Sequence, residues 1–172
     1  GIRKTAFQQM NGFSAFVAGE DIELSIRMIE AGLTVTLIPE AFVYHKRRTT
    51  FKSFFRQVYR FGAARINIFY RHRSQLKITH LFPSAFMLFL LTGWVTVFLS
   101  KPVFAAYLIM SALYYAAILI SATLKERSII VGFLSLVAAT CQLFGYGSGL
   151  LANAFAVFIL GKKEGLQLGA SK

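Results

Sequence analysis

No acidic residue lies between Glu40 and Glu126. Nothing in that stretch offsets the ten Lys and Arg side chains of residues 46–77. The apolar runs that follow carry almost no charge of either sign, which argues against an ion or proton pathway through them. There is one cysteine, Cys141, so no intramolecular disulfide can form. The opening Gly1-Ile2-Arg3-Lys4 is not followed by an apolar stretch, so it is not a signal peptide. The chain has no initiator Met and begins abruptly in a soluble-looking segment, as a piece of a longer chain would.

What is present is a basic collar feeding into hydrocarbon. The 172 residues are 56% hydrophobic with a formal net charge of +12. A chain of this length could bury a soluble core, but its second half is too apolar for that. The positive charge does not read as a nucleic-acid interface, because it adjoins runs that no aqueous domain would expose. A basic segment leading into an apolar one is how a chain meets the anionic, cytoplasmic face of a membrane. Anionic lipids are therefore expected partners, and nucleic acid is not.

Three uncharged runs predict membrane helices over about residues 78–100, 102–124 and 128–161, since a span needs about 20 apolar residues. Lys101-Pro102 separates the first two, and Lys125-Glu126-Arg127 the last two. The third run is long, with glycines at 145, 147 and 149. A single helix, tilted or kinked there, is favoured over a hairpin whose halves would each fall short of a span. The ten basic residues ahead of the first span place that side in the cytoplasm. Lys101 then lies outside, and the Lys125/Arg127 loop returns inside.

The first 45 residues differ in kind and hold five of the seven carboxylates. Residues 20–31 predict a helix, with Ile22, Ile26 and Ile29 at helical spacing and Gly32 as the stop. Residues 33–38 are short and β-branched and predict a strand, broken by Pro39-Glu40 and followed by an extended segment over 41–45. From Thr50 to about Arg71 the period is helical again. Phe51, Phe54, Phe55, Val58, Phe61, Gly62, Ile66 and Phe69 form an apolar stripe, with Lys52, Arg56 and Arg60 recurring beside it. That pattern predicts an amphipathic helix in the headgroup plane.

Two short motifs could carry chemistry. Gly19-Glu20-Asp21 opens the first helix, where adjacent carboxylates commonly offset the helix dipole. Gln57, Arg60 and Phe61 share a helical face, although Arg60 could equally snorkel to a lipid phosphate. In this order, with spans behind them, these residues resemble the C-terminal part of membrane-bound family 2 glycosyltransferases. Those enzymes have a cytoplasmic GT-A catalytic domain and are relatives of cellulose and hyaluronan synthases. The likeness begins at Arg3-Lys4-Thr5-Ala6-Phe7. It continues at Asn11-Gly12-Phe13, where the family usually has Gly-Gly-Phe. Gly19-Glu20-Asp21-Ile22-Glu23-Leu24 is similar to its acid-acid motif, and Gln57-Val58-Tyr59-Arg60-Phe61 to its Gln-x-x-Arg-Trp.

The resemblance implies roles. Asp21 would be the general base that deprotonates an acceptor hydroxyl, with Glu20 beside it. Arg60, Gln57 and Gly12 would hold the diphosphate of a nucleotide-sugar donor, and transfer would invert the anomeric centre. Phe61 would face the acceptor; standing where the family has tryptophan, it keeps an aromatic face but lacks the indole N–H, which leaves room for a lipid-linked or short acceptor. Asn11 replaces a glycine and is among the few residues that tolerate positive φ. His45 would be a metal ligand, its alternative being a polar strand-end residue. Arg47 and Arg48 read as surface or phosphate contacts, and His72 and His80 as interfacial residues. The glycines around Tyr146 read as helix-packing positions.

The family also needs an upstream nucleotide-binding half with an Asp-x-Asp motif. Asp21 is the only aspartate here, so the resemblance implies that a divalent metal (Mg or Mn) is bound mainly by a half outside these residues, without which they would be inactive. The expected fold is an α/β fragment, the C-terminal part of a GT-A domain, over residues 1–49. An interfacial basic helix follows over 50–77, then an all-α transmembrane bundle over 78–161 and a polar tail over 162–172. The expected protein is multi-pass, in a plasma or inner membrane, with its catalytic part cytoplasmic. It would move sugar to a membrane-proximal lipid or saccharide acceptor. The competing readings are a non-enzymatic basic anchor that recruits partners to anionic lipid, and a transporter fragment.

Overall fold

The computed structural model describes residues 1–14, 18–44 and 49–162. Six α-helices lie within them: α1 (Lys4–Gln9), α2 (Glu20–Glu30), α3 (Phe51–Arg71), α4 (Phe82–Thr92), α5 (Lys101–Glu126) and α6 (Ile129–Phe158). Short 3₁₀ turns occupy Arg73–Gln75, Ile78–His80 and Gly93–Phe98.

The α/β expectation is overturned. Among the described residues there is no strand, and residues 33–38 and 41–44 carry no ladder. A strand is stabilised by the neighbour it pairs with, and these segments have none here. Their apolar side chains stand in the open, Leu37 at 88% and Tyr44 at 96% exposure.

The helices start and stop for local reasons. Thr50 caps α3, its Oγ1 accepting from the Ser53 amide at 3.2 Å. Pro102 sits in the first turn of α5, where a missing N–H is harmless. Arg127, at φ 50°, closes α5, and Ser128 caps α6 by accepting from the Val131 amide. Helix α6 runs unbroken through its glycines.

The first expected span is not one helix. It breaks into α4 and a tighter 3₁₀ segment at Gly93, which lies flat against the Tyr107 ring where any Cβ would collide. The Tyr107 hydroxyl donates to the Leu90 carbonyl at 3.1 Å, satisfying a group the break exposes. Two helices, α5 and α6, are long and apolar enough to cross a membrane; the apolar stretch Phe82–Phe98 is shorter.

The packing centres on α6. Helix α3 runs alongside its C-terminal half in the same direction. Val58 meets Gly145, Tyr59 meets Gly149, Asn153 donates to the Ala63 carbonyl and to Asn67, and Phe69 meets Phe158. Gly62 approaches the backbone of Tyr146 and Leu150 so closely that no side chain would fit. Ile66, Leu150 and Val157 form the buried centre. The stripe read as lipid-facing is thus divided: Val58, Gly62 and Ile66 are buried, while Phe51, Phe55 and Phe61 remain exposed.

Helix α5 returns antiparallel on the other half of α6. Tyr115 hydrogen-bonds Thr140 at 3.1 Å, and Leu119 and Thr123 pack on Gly132. At 1.5 Å per residue, Gly132 lies about 25 Å along α6 from Gly149. The Lys125–Arg127 turn therefore sits at the end of α6 away from its contacts with α3.

A candidate active site between the second and third helices

Gly19 makes the first wall. At φ 83° it holds a left-handed conformation that turns the chain into α2, and it rests on Ala64 and Ile68 of α3. This sets Glu20 and Asp21 on the first turn of α2, where the helix dipole favours negative charge. Asp21 is exposed, and its Oδ1 accepts from the Ile22 amide at 2.8 Å.

The second wall is one face of α3. Ser53, Arg56, Gln57, Arg60 and Phe61 recur at helical spacing and point toward α2. The third is Phe13, which follows a turn in which Asn11 and Gly12 both hold positive φ, 54° and 72°. Phe13 packs edge-on against Phe7.

Together these residues line an open cavity of about 580 Å³. That size suits a small ligand. Two carboxylates face two guanidiniums across it, with aromatic rings at its margin. One side can take a proton, and the other can hold phosphate through paired hydrogen bonds.

Of the residues named from sequence, Glu20, Asp21, Gln57, Arg60 and Phe61 are brought together. Gly12 does not line the cavity; its carbonyl instead accepts from Arg27 Nη2 at 2.8 Å. His45, Arg47 and Arg48 lie outside the described residues. Among the described residues no three His, Cys, Asp or Glu side chains group as metal ligands. Among the described residues, Glu20 and Asp21 are the carboxylates at the cavity, and a Mg²⁺ or Mn²⁺ held by them would take the rest of its oxygen ligands from substrate phosphate and water.

The sequence did not single out Phe13 or Ser53, and it read Arg56 only as a lipid contact. Their signal was the shared helical face with Arg60, and, for Phe13, nothing beyond a motif. Nor did it reveal the cluster behind α2. Glu23, 2% exposed, accepts from Arg27 Nε with both oxygens, and His72 bridges Glu23 and Glu30. His72, read as interfacial, is 11% exposed and paired within the protein.

Burial pushes the Glu23 carboxyl up. Hydrogen bonds from Arg27 and His72, with the Arg27 charge, outweigh that and hold it below the ordinary value of 4.5.

A family model described as glycosyl transferase family group 2 matches residues 1–125. Comparisons with curated proteins and with solved structures return no match.

Proposed function

The chain belongs to glycosyl transferase family group 2, and from that premise we propose that it transfers a sugar from a nucleotide-sugar donor to an acceptor at the membrane surface, inverting the anomeric centre. The Asp21 carboxylate takes the proton of an acceptor hydroxyl. The hydroxyl oxygen forms its bond to the anomeric carbon as the bond from that carbon to the phosphate oxygen breaks. The nucleoside diphosphate leaves with the electron pair. Arg60, with Gln57 beside it, meets the charge that grows on the leaving group, and a fixed cation there lowers the barrier. Glu20 keeps the cavity's carboxylate side negative. Phe61, half exposed at the rim, offers a ring face to the acceptor.

The observation that carries this proposal is the shared cavity. Asp21 and Arg60 are 39 positions apart in sequence, yet both line it. The base acts on the attacking hydroxyl and the clamp on the departing phosphate, on opposite sides of one anomeric carbon, so both must line one cavity, and this one, of about 580 Å³, has both in its wall.

Assay of the full-length gene product against a panel of nucleotide sugars tests the proposal. Asp21→Asn should cut transfer by about 10²–10⁴-fold, the span of general-base contributions, with expression and membrane insertion unchanged. A fully active Asp21→Asn variant would remove Asp21 as the base and sink the proposed site; a wild-type protein that transfers no sugar from any donor would leave the basic anchor as the reading. Under that reading, neutralising Lys52, Arg56 and Arg60 would release this basic segment from anionic lipid.

A further inference from the structure

The walls of the cavity come from three separate segments: the turn at residues 10–13, helix α2 and helix α3. One side-chain cluster, outside the cavity, touches all three. Arg27 lies within it, and each edge of its guanidinium is used. Nε donates to both Glu23 oxygens, at 2.9 and 3.0 Å. Nη1 donates to the Met10 carbonyl, and Nη2 to the Gly12 carbonyl at 2.8 Å. The turn that ends on Phe13 is thereby tied to α2. Glu23 in turn meets His72 Nε2 at 3.5 Å, and His72 Nδ1 meets Glu30 at 3.0 Å. His72 is the C-cap of α3. So α2 is tied to the helix that carries Gln57 and Arg60.

The burial of the cluster is uneven in an informative way. The Glu23 side chain is 2% exposed, while Arg27 is 25% exposed. A buried carboxylate bound by Nε of a planar group whose two Nη atoms hold backbone carbonyls is a rigid joint, because the N–H directions of a guanidinium are fixed relative to one another. An ammonium at position 27 could reach one acceptor but could not span Glu23 and two carbonyls.

We propose that Arg27 is a positioning residue for sugar transfer: with Glu23 and His72 it forms a brace that holds Phe13, Asp21 and Arg60 in a common register around the cavity. This rests on the transferase reading of that cavity. The brace touches no substrate. Its effect on rate comes from geometry, since a misplacement of about 1 Å at a reacting group can lower the rate about 100-fold.

The test uses the full-length protein and the nucleotide sugar that the wild type accepts. Arg27→Gln should lower kcat about 100-fold with the donor KM nearly unchanged. Arg27→Lys, which keeps the charge, should fail to restore it. His72→Gln, which cuts only the tie to α3, should lose about 10-fold, a smaller shift of the same kind. Rescue by Arg27→Lys, or wild-type kcat in Arg27→Gln, would overturn the proposal. Should Arg27→Gln not fold, His72→Gln decides, and a wild-type rate there overturns it equally. Independently, spin labels at Gln9 and Lys52, on a Cys141→Ala background, read the distance between turn and α3. That distribution should broaden in Arg27→Gln or, if that variant does not fold, in His72→Gln; an unchanged one counts against the brace. An active Asp21→Asn variant overturns the site itself, and the label distances then judge the brace apart from it.

Discussion

Asp21 and Glu23 are two residues apart on one helix and meet opposite environments. Asp21 is exposed and points into the cavity; Glu23 is 2% exposed and faces Arg27 and His72. A residue's place on the turn, not its chemistry, separates a group able to take a proton from one locked in an ion pair. The pH response of Glu23 follows. Its pKa is lowered on folding, so the stability it contributes is fully present above 4.5, the ordinary value, and is lost as pH falls through the lowered value. Hydrogen bonds to a charged group are each worth about 1.5–3 kcal/mol, so the loss should be measurable. Protection factors of the α2 amides, corrected for the intrinsic pH dependence of exchange, should fall on acidification below 4.5, and Glu23→Gln should abolish that fall. Equal acid sensitivity in wild type and variant would show that another group is responsible. One part of this had a local signal that the sequence reading passed over. Glu23 and Arg27 stand at i, i+4 spacing, a readable pair. The Met10 and Gly12 carbonyls were not legible, because they belong to a turn whose approach to α2 is a tertiary event.

Helices α2 and α3 lie within a residue of where apolar spacing placed them, at Glu20–Glu30 and Phe51–Arg71. Spacing reports which face is buried but not what buries it. The partner of α3 proved to be α6, and the contact depends on absent side chains. Gly62, Gly145 and Gly149 let the two backbones nearly touch, and a Cβ at Gly149 would run into the Tyr59 carbonyl. Gly149→Val should therefore push α3 off α6. Overpacking of this kind costs about 1–3 kcal/mol, and moving α3 also moves Gln57 and Arg60, so transfer should fall with stability. Denaturant unfolding in detergent beside the transfer assay would check it; unchanged values in both would mean the helices part without consequence. The failed element is instructive too. Residues 33–38 have a strand's composition, yet composition cannot supply a neighbouring strand.

At the scale of the molecule, the decisive feature is the α5–α6 hairpin. Its turn at Arg127 precedes the N-terminal end of α6, while the α3 wall of the cavity lies beside Gly145 and Gly149 of α6, about 25 Å away or more by helix rise. We propose that α5 and α6 cross the bilayer as a pair, with the cavity at the cytoplasmic face and the turn beyond the other. The charges agree, since the turn carries two basic residues and residues 46–77 carry ten. On a Cys141→Ala background, a cysteine at Arg127 should react with an impermeant thiol reagent from outside, and one at Lys52 only after permeabilisation. Labelling of both from the same side would refute the arrangement. The sequence alone placed α2, α3 and the two long apolar helices and carried the motifs by which the chain resembles family 2 glycosyltransferases, because period, hydropathy and short spacing are local properties. Only the tertiary structure decided that Asp21 and Arg60 share a cavity, that α3 leans on glycines of α6 and that the Arg127 turn lies far from the site. Those depend on how closely two backbones can approach, and that is set by pairs of residues distant in the chain.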